Sequence, residues 1–168
     1  MKLFVDLDGC LTDFDQAVAD LGEEYTAGLA DDAPGDVKQK MYDAIEKAGE
    51  DFWAKMKWTE DGKELWALVK KLNPTILSSP GKFQSAPAGK ILWIQKNIPG
   101  TSLFLSDTKS EYIDPYDLSI LIDDNRDNIG GWEQGGGEAI LHTSAAETER
   151  KLLELLWATP EIDLNDYF

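Results

Sequence analysis

Five short apolar runs restrict what this chain can fold into more than any other feature of its 168 residues. They are KLFVD at 2–6, TILSS at 75–79, SLFLS at 102–106, LSILIDD at 118–124 and EAILH at 138–142. Each is short and nearly uninterrupted in its apolar stretch, the pattern of a strand covered on both faces. Helical stretches lie between them. Phe14, Ala17, Val18, Leu21, Tyr25 and Leu29 form one stripe over 11–29, and ADDAPGD then breaks the helix. Val37, Met41 and Ile45 mark a second helix over 36–48. EDFWAKMKW at 50–58 reads as an irregular segment, and TEDGKELWALVKKLNP as a helix stopped at Asn73-Pro74. PGKFQSAPAG is loop-like, and further helices are predicted over 88–97, 128–134 and 145–157, the middle one ended by Gly135, Gly136 and Gly137. The tail EIDLNDYF is expected to dock or fray.

Strands that alternate with helices predict an α/β fold, a Rossmann-like parallel sheet with helices on both faces. The interval from Asp6 to Thr75 is much longer than a simple crossover needs. Residues 15–60 are therefore expected to form a small helical cap inserted after the first strand, with 1–14 and 61–168 as the core.

A hydrophobic content of 42% and six tryptophans indicate a folded chain. The 32 acidic and 16 basic side chains give a net charge of −16, with no local basic cluster. Such a field disfavours polymeric nucleic acid and anionic membrane as partners. No apolar run is long enough to span a bilayer, and the N-terminal stretch reaches Asp6 too soon for a secretory signal. The single cysteine, Cys10, has no disulfide partner, which favours a reducing cytoplasm. The oligomeric state is left open.

In an open parallel sheet, ligands bind beyond the carboxyl ends of the strands. At those ends the sequence places Asp6 and Asp8, then Ser78 and Ser79, then Asp107, Thr108 and Lys109, then Asp123 and Asp124. Carboxylates repel one another, so gathering them at one rim costs stability unless a cation offsets it. Oxygen ligands of this kind suit Mg²⁺, with a substrate phosphate completing its shell. Hydroxyls and a lysine suit the remaining phosphoryl oxygens. One aspartate can attack phosphorus while another protonates the leaving alkoxide. The residues thus point to metal-assisted phosphoryl transfer on a small phosphorylated metabolite.

DLDGCLTDF resembles motif I, DxDGxLxD, of the haloacid dehalogenase-like (HAD) phosphohydrolases. Ser78 after TIL is similar to their motif II, Lys109 to their motif III lysine and LIDD to their motif IV, in the right order along nearly the whole chain. SSPGK and LIDDNRDN are further similar to segments of the 5'(3')-deoxyribonucleotidase branch, and DFWAKMKW resembles its aromatic cap segment. The resemblance implies Mg²⁺ as cofactor and a nucleoside monophosphate as substrate. It implies that Asp6 is nucleophile and metal ligand, and that Asp8 is general acid and base with its carbonyl on the metal. It implies Asp124 as the direct motif IV ligand with Asp123 in support, or the reverse order. Ser78, Ser79, Lys82 and Lys109 would hold the phosphoryl group, and Phe52 and Trp53 would stack on the base.

Other readings stay open beside these. Phe52, Trp53 and Trp58 also suit the core of a small cap. Lys82 or Lys90 can take the place of Lys109. Asp127 suits a helix cap better than a metal, His142 reads as structural, and Cys10 as a small buried residue. A phosphatase for sugar phosphates or other small metabolites is the second enzyme reading. A non-catalytic metal- or phosphate-binding domain of the same fold is the reading from another class.

Overall fold

The computed structural model describes residues 1–158, so the tail EIDLNDYF lies outside the described residues. Along the chain, β1 (Lys2–Val5) is followed by α1 (Phe14–Leu21), α2 (Gly35–Ala48), α3 (Glu50–Ala54) and α4 (Gly62–Val69). Then come β2 (Thr75–Ser78), α5 (Ala86–Asn97), β3 (Leu103–Leu105), β4 (Ser119–Asp123), α6 (Arg126–Gln134), β5 (Glu138–Leu141) and α7 (Ala145–Trp157). The five strands form one all-parallel sheet in the order β3-β2-β1-β4-β5, the Rossmann-like α/β architecture expected from the alternation. Among the described residues no helix is long and apolar enough to cross a membrane.

The chain divides into two compact units. The first holds Met1–Leu11, Trp58–Ser79 and the chain from Thr101 onward, and it contains the whole sheet. Period-two alternation sorts its strand side chains to two faces. Phe4, Leu77 and Leu121 share one face with Trp132 of α6, and Tyr112, Ile113 and Ala139 pack around them. Leu3, Val5, Ile76, Ile120 and Ile122 alternate with these and are all buried. Helices α4 and α7 pack on each other and add Leu65, Val69, Leu152 and Leu156 to the buried set. Fully burying one such aliphatic side chain contributes about 1.5–3 kcal/mol. The core is therefore thick where the strands are central, and β4 is buried at every position.

Helix α6 is an exception to good local propensity. Gly130 and Gly131 sit in its interior, and a Cβ at either would meet nothing within 4 Å. Gly130→Ala and Gly131→Ala are each expected to raise stability by about 1 kcal/mol, read as a higher denaturation midpoint. A loss at either position would show that packing demands glycine there.

The second unit comprises Thr12–Lys57 and Pro80–Gly100. The cap is expected over 15–60, whereas this unit runs over 12–57 and also includes 80–100. The cause is the pairing of α3 with α5. At Gly89 a Cβ would come within 2.5 Å of both the Glu50 carbonyl oxygen and the Trp53 Cβ, so only glycine permits this approach. Trp93 Nε1 donates to the Met56 carbonyl at 2.9 Å, closing the same seam.

Local structure departs from the expected elements in three further places. The predicted helix over 11–29 is two elements: Asp13 caps α1 by accepting from the Gln16 amide at 2.9 Å, α1 ends at an extended Gly22, and a 3₁₀ helix covers Glu23–Leu29. EDFWA, expected to be irregular, is α3. The helix after β4 begins at Arg126 because Asn125, not Asp127, caps it, accepting from the amides of Asp127 and Asn128.

Candidate active site

Parallel strands direct their carboxyl ends to one rim, and β1 and β4 are neighbours with Val5 opposite Ile122. The next residue on β1 is Asp6, whose amide donates to the Ile122 carbonyl at 2.9 Å, and β4 ends in Asp123. This adjacency sets the central feature of the first unit. Lys109, from the 3₁₀ turn Lys109–Tyr112 after β3, places Nζ 2.6 Å from Asp6 Oδ1 and 2.6 Å from Asp123 Oδ2. All three side chains are buried.

Burial in a protein interior disfavours each charge, and here the balance differs from group to group. The Asp6 carboxyl is pushed up to about 7, first by burial and then by Asp123 and Asp8, against the opposing pull of Lys109. Burial works to lower the Lys109 pKa, but Asp6 and Asp123 outweigh it and hold it above the ordinary lysine value. Asp124 is raised to about 6 by burial and by Asp123.

Asp6, Asp123 and Asp124 each offer an oxygen, and these oxygens lie within 4.8 Å of one another. The close approach of Asp124 depends on Gly9, which has φ +83° and whose missing Cβ would overlap the Asp124 carboxylate. Three carboxylates against one ammonium leave two negative charges, the amount a divalent cation cancels. Asp6 Oδ1 is buried, and the Lys109 ammonium 2.6 Å away is the cation it faces. Hard oxygen donors and an excess of two negative charges fit Mg²⁺.

These shifts predict how the chelated protein responds to pH. Between about pH 4 and about pH 7 the folded chain retains a proton on Asp6 that the unfolded chain has released. Stability in chelator is therefore expected to fall as pH rises through that window. Mg²⁺ should raise the melting temperature more at pH 8 than at pH 5, because it competes with protons for the same carboxylates. A melting temperature in chelator that is flat or rising from pH 4 to pH 7 would contradict this balance.

The structure places the other expected residues as follows. Asp8 is half-buried in the turn after β1, close enough to raise Asp6. Ser78 is buried at the end of β2. Ser79 donates to the carboxylate of Asp107, which ties the ends of β2 and β3 together. In the second unit, Phe52 is 6% and Trp53 2% exposed. Their rings meet each other at 5.0 Å between centroids, and both meet Phe14. Trp53 Nε1 donates to Ser85 Oγ at 3.1 Å. These contacts correct the expectation of stacking platforms: the two rings are core of that unit. Lys82 is exposed, with Nζ 3.6 Å from the centroid of the Tyr42 ring, a cation–π contact within its own unit. Lys90 is the buried lysine of that unit.

Sequence reasoning missed Asn125 and Asn128, whose only signal was their place in the polar turn LIDDNRDN. Asp123 Oδ1 accepts from the Asn125 amide at 2.9 Å, and Asn128 Nδ2 donates to Oδ1 at 3.2 Å and to Oδ2 at 3.0 Å. His142, expected to be structural, is buried with Nδ1 2.8 Å from Thr148 Oγ1, and its amide donates to the Asp123 carbonyl. Cys10 is buried, and burial pushes its thiol pKa up, so it is no nucleophile at neutral pH.

No protein-family model and no curated protein matches the chain. Among solved structures it is similar to a hydrolase from Pseudomonas syringae, at 16% identity and a TM-score of 0.51, over 89% of this chain and 88% of that one. It is also similar to a hydrolase from Streptococcus pneumoniae TIGR4, at 13% identity and a TM-score of 0.55, over 91% and 97%. At these identities the likeness is one of fold. The chain has the α/β Rossmann-like fold of those hydrolases.

Proposed function

We propose that the chain is a HAD-type phosphomonoesterase that uses Mg²⁺ and an aspartyl-phosphate on Asp6. The observation that carries the reading is the buried Asp6–Lys109–Asp123 chain with Asp124 beside it, at the carboxyl rim of a parallel sheet. Asp6, Asp124 and the Asp8 carbonyl would hold the metal, which when bound screens the charge between phosphoryl oxygens and carboxylate. Lys109 would hold the Asp6 carboxylate in place and pair with a phosphoryl oxygen. Asp6 attacks phosphorus as the ester P–O bond breaks, and Asp8 gives its proton to the departing alkoxide. Asp8 then takes a proton from water, whose oxygen attacks the same phosphorus and releases Asp6 and inorganic phosphate. Ser78 and Ser79 would donate to the phosphoryl oxygens, with Ser79 turning from Asp107 to do so.

By resemblance the substrate is a nucleoside monophosphate and the enzyme a 5'(3')-nucleotidase of the reducing cytoplasm. The burial of Phe52 and Trp53 favours the second reading, a sugar phosphate or another small phosphorylated metabolite, because it removes the rings that argued for a base. The test is phosphate release from a panel of nucleoside monophosphates and sugar phosphates, in Mg²⁺ and in chelator. Mg²⁺-dependent release is expected, and the preferred members of the panel decide between the two substrate classes. No release from any member by folded, Mg²⁺-binding protein would favour the non-catalytic binding domain.

A further inference from the structure

Both oxygens of Asp123 are engaged by protein donors. A carboxylate offers about four acceptor positions. On Asp123 three donors meet them: Lys109 Nζ at 2.6 Å, the Asn125 amide at 2.9 Å, and Asn128 Nδ2, which is shared between the two oxygens at 3.2 and 3.0 Å. The residue is fully buried, so no water competes for these sites. Asp124, the next residue, points its carboxylate toward the space left by Gly9 and is exposed.

The arrangement follows from the start of α6. Asn125 is the cap, its side chain accepting from the amides of Asp127 and Asn128. Asn128, three residues on, reaches back past the cap to the acid two residues before it. In an ordinary capping box the third residue returns to the backbone of the cap itself. Here the same geometry is spent on a side chain of the active site. The helix start is thereby fastened to the acid that holds Lys109.

We propose that Asn128 is a positioning residue whose amide straps both oxygens of Asp123, so that Asp123 aims Lys109 at Asp6 and takes no part in holding metal. The inference rests on the phosphatase reading for its kinetic consequence, and on the hydrogen bonds alone for the division of labour between Asp123 and Asp124. Without the strap, the Asp123 carboxylate rotates about its last side-chain bond, and the ammonium loses its fixed angle to Asp6.

The test compares wild type with Asn128→Ala, Asn128→Ser, Asp123→Asn and Asp124→Asn in two measurements. The first, without substrate, follows the rise of the melting temperature with Mg²⁺. Asp124→Asn is expected to lose that rise, whereas Asp123→Asn and Asn128→Ala keep its midpoint within about threefold, well inside the effect of losing a ligand or its support. The second is kcat and KM on the best substrate of the panel. Asn128→Ala is expected to lose about 10- to 100-fold in kcat with little change in KM, and Asn128→Ser, which keeps one short donor, to fall between it and wild type. A purely structural asparagine would lower the melting temperature and leave kcat alone below it. Wild-type kcat in Asn128→Ala, or loss of the Mg²⁺ response in Asp123→Asn, overturns the proposal. If Asp123→Asn does not fold, the two Asn128 variants, at a half-buried position of the first helical turn, decide it. Wild type that binds Mg²⁺ yet releases no phosphate overturns the phosphatase reading, while the Mg²⁺ arm still judges Asp123 against Asp124. Wild type that does neither overturns both.

Discussion

Lys109→Met is expected to destabilise the chain by about 3–5 kcal/mol at pH 8, the usual penalty for removing one partner of a buried ion pair. The ammonium lies 2.6 Å from each of two buried carboxylates, and no other cation among the described residues contacts either one. Methionine keeps the length and apolar stem of the side chain, so the loss reports charge and not a cavity. At pH 5 the penalty should shrink, because Asp6, already raised to about 7, takes up a proton and ceases to repel Asp123. The double variant Asp6→Asn/Lys109→Met should recover much of the loss at pH 8 for the same reason. Urea unfolding of the three proteins and wild type at both pH values measures this as a double-mutant cycle. Equal losses at pH 5 and pH 8, with no recovery in the double variant, would mean that the lysine acts through packing.

Asp6→Asn is expected to remove turnover by at least about 10³-fold, since an amide cannot form the covalent intermediate and the remaining groups retain only binding and charge stabilisation. Stability should move little, or rise, at pH 8. The variant removes a carboxylate whose ionised form the interior disfavours, and it leaves Lys109 paired with Asp123. The measurement is phosphate release on the best substrate of the panel, beside thermal unfolding of the same preparation. Turnover within about tenfold of wild type would place the nucleophile elsewhere.

The sheet was legible because its signal is local and redundant. Each of the five apolar runs contains a strand, and β4, the most apolar run, is buried throughout. The rim acids were legible for the same reason, since a strand end is fixed once the strand is. What was not legible depended on contacts between distant segments. EDFWA forms a helix that packs on α5, where Gly89 admits a close backbone approach that the segment's own composition does not advertise. The stripe from Phe14 to Leu29 continues across a real break at Gly22, because a 3₁₀ turn repeats closely enough to α spacing to preserve the pattern. The aromatic rings of Phe52 and Trp53 looked alike as core or as platform until their burial was known. Asn128 was invisible because an asparagine in a polar turn has many uses, and only the two distances to Asp123 select one.

The register of β1 bears on how the chain is made. Its partners are β4, with Leu3 opposite Ile120, and β2, with Phe4 opposite Thr75. Both emerge from a ribosome long after β1 itself. At about 5–20 residues per second, the wait for β4 is on the order of ten seconds, during which LFV is an unpaired apolar segment among its neighbours' nascent copies. Long-range pairing of this kind is slow and exposed to aggregation. The segment is followed at once by Asp6, Asp8 and Asp13. Like charges at the flank of a hydrophobic strand keep identical strands apart. Two of these acids, Asp6 and Asp8, are the ones proposed for chemistry, and their charge at the flank of the strand disfavours its association with other copies before there is a fold.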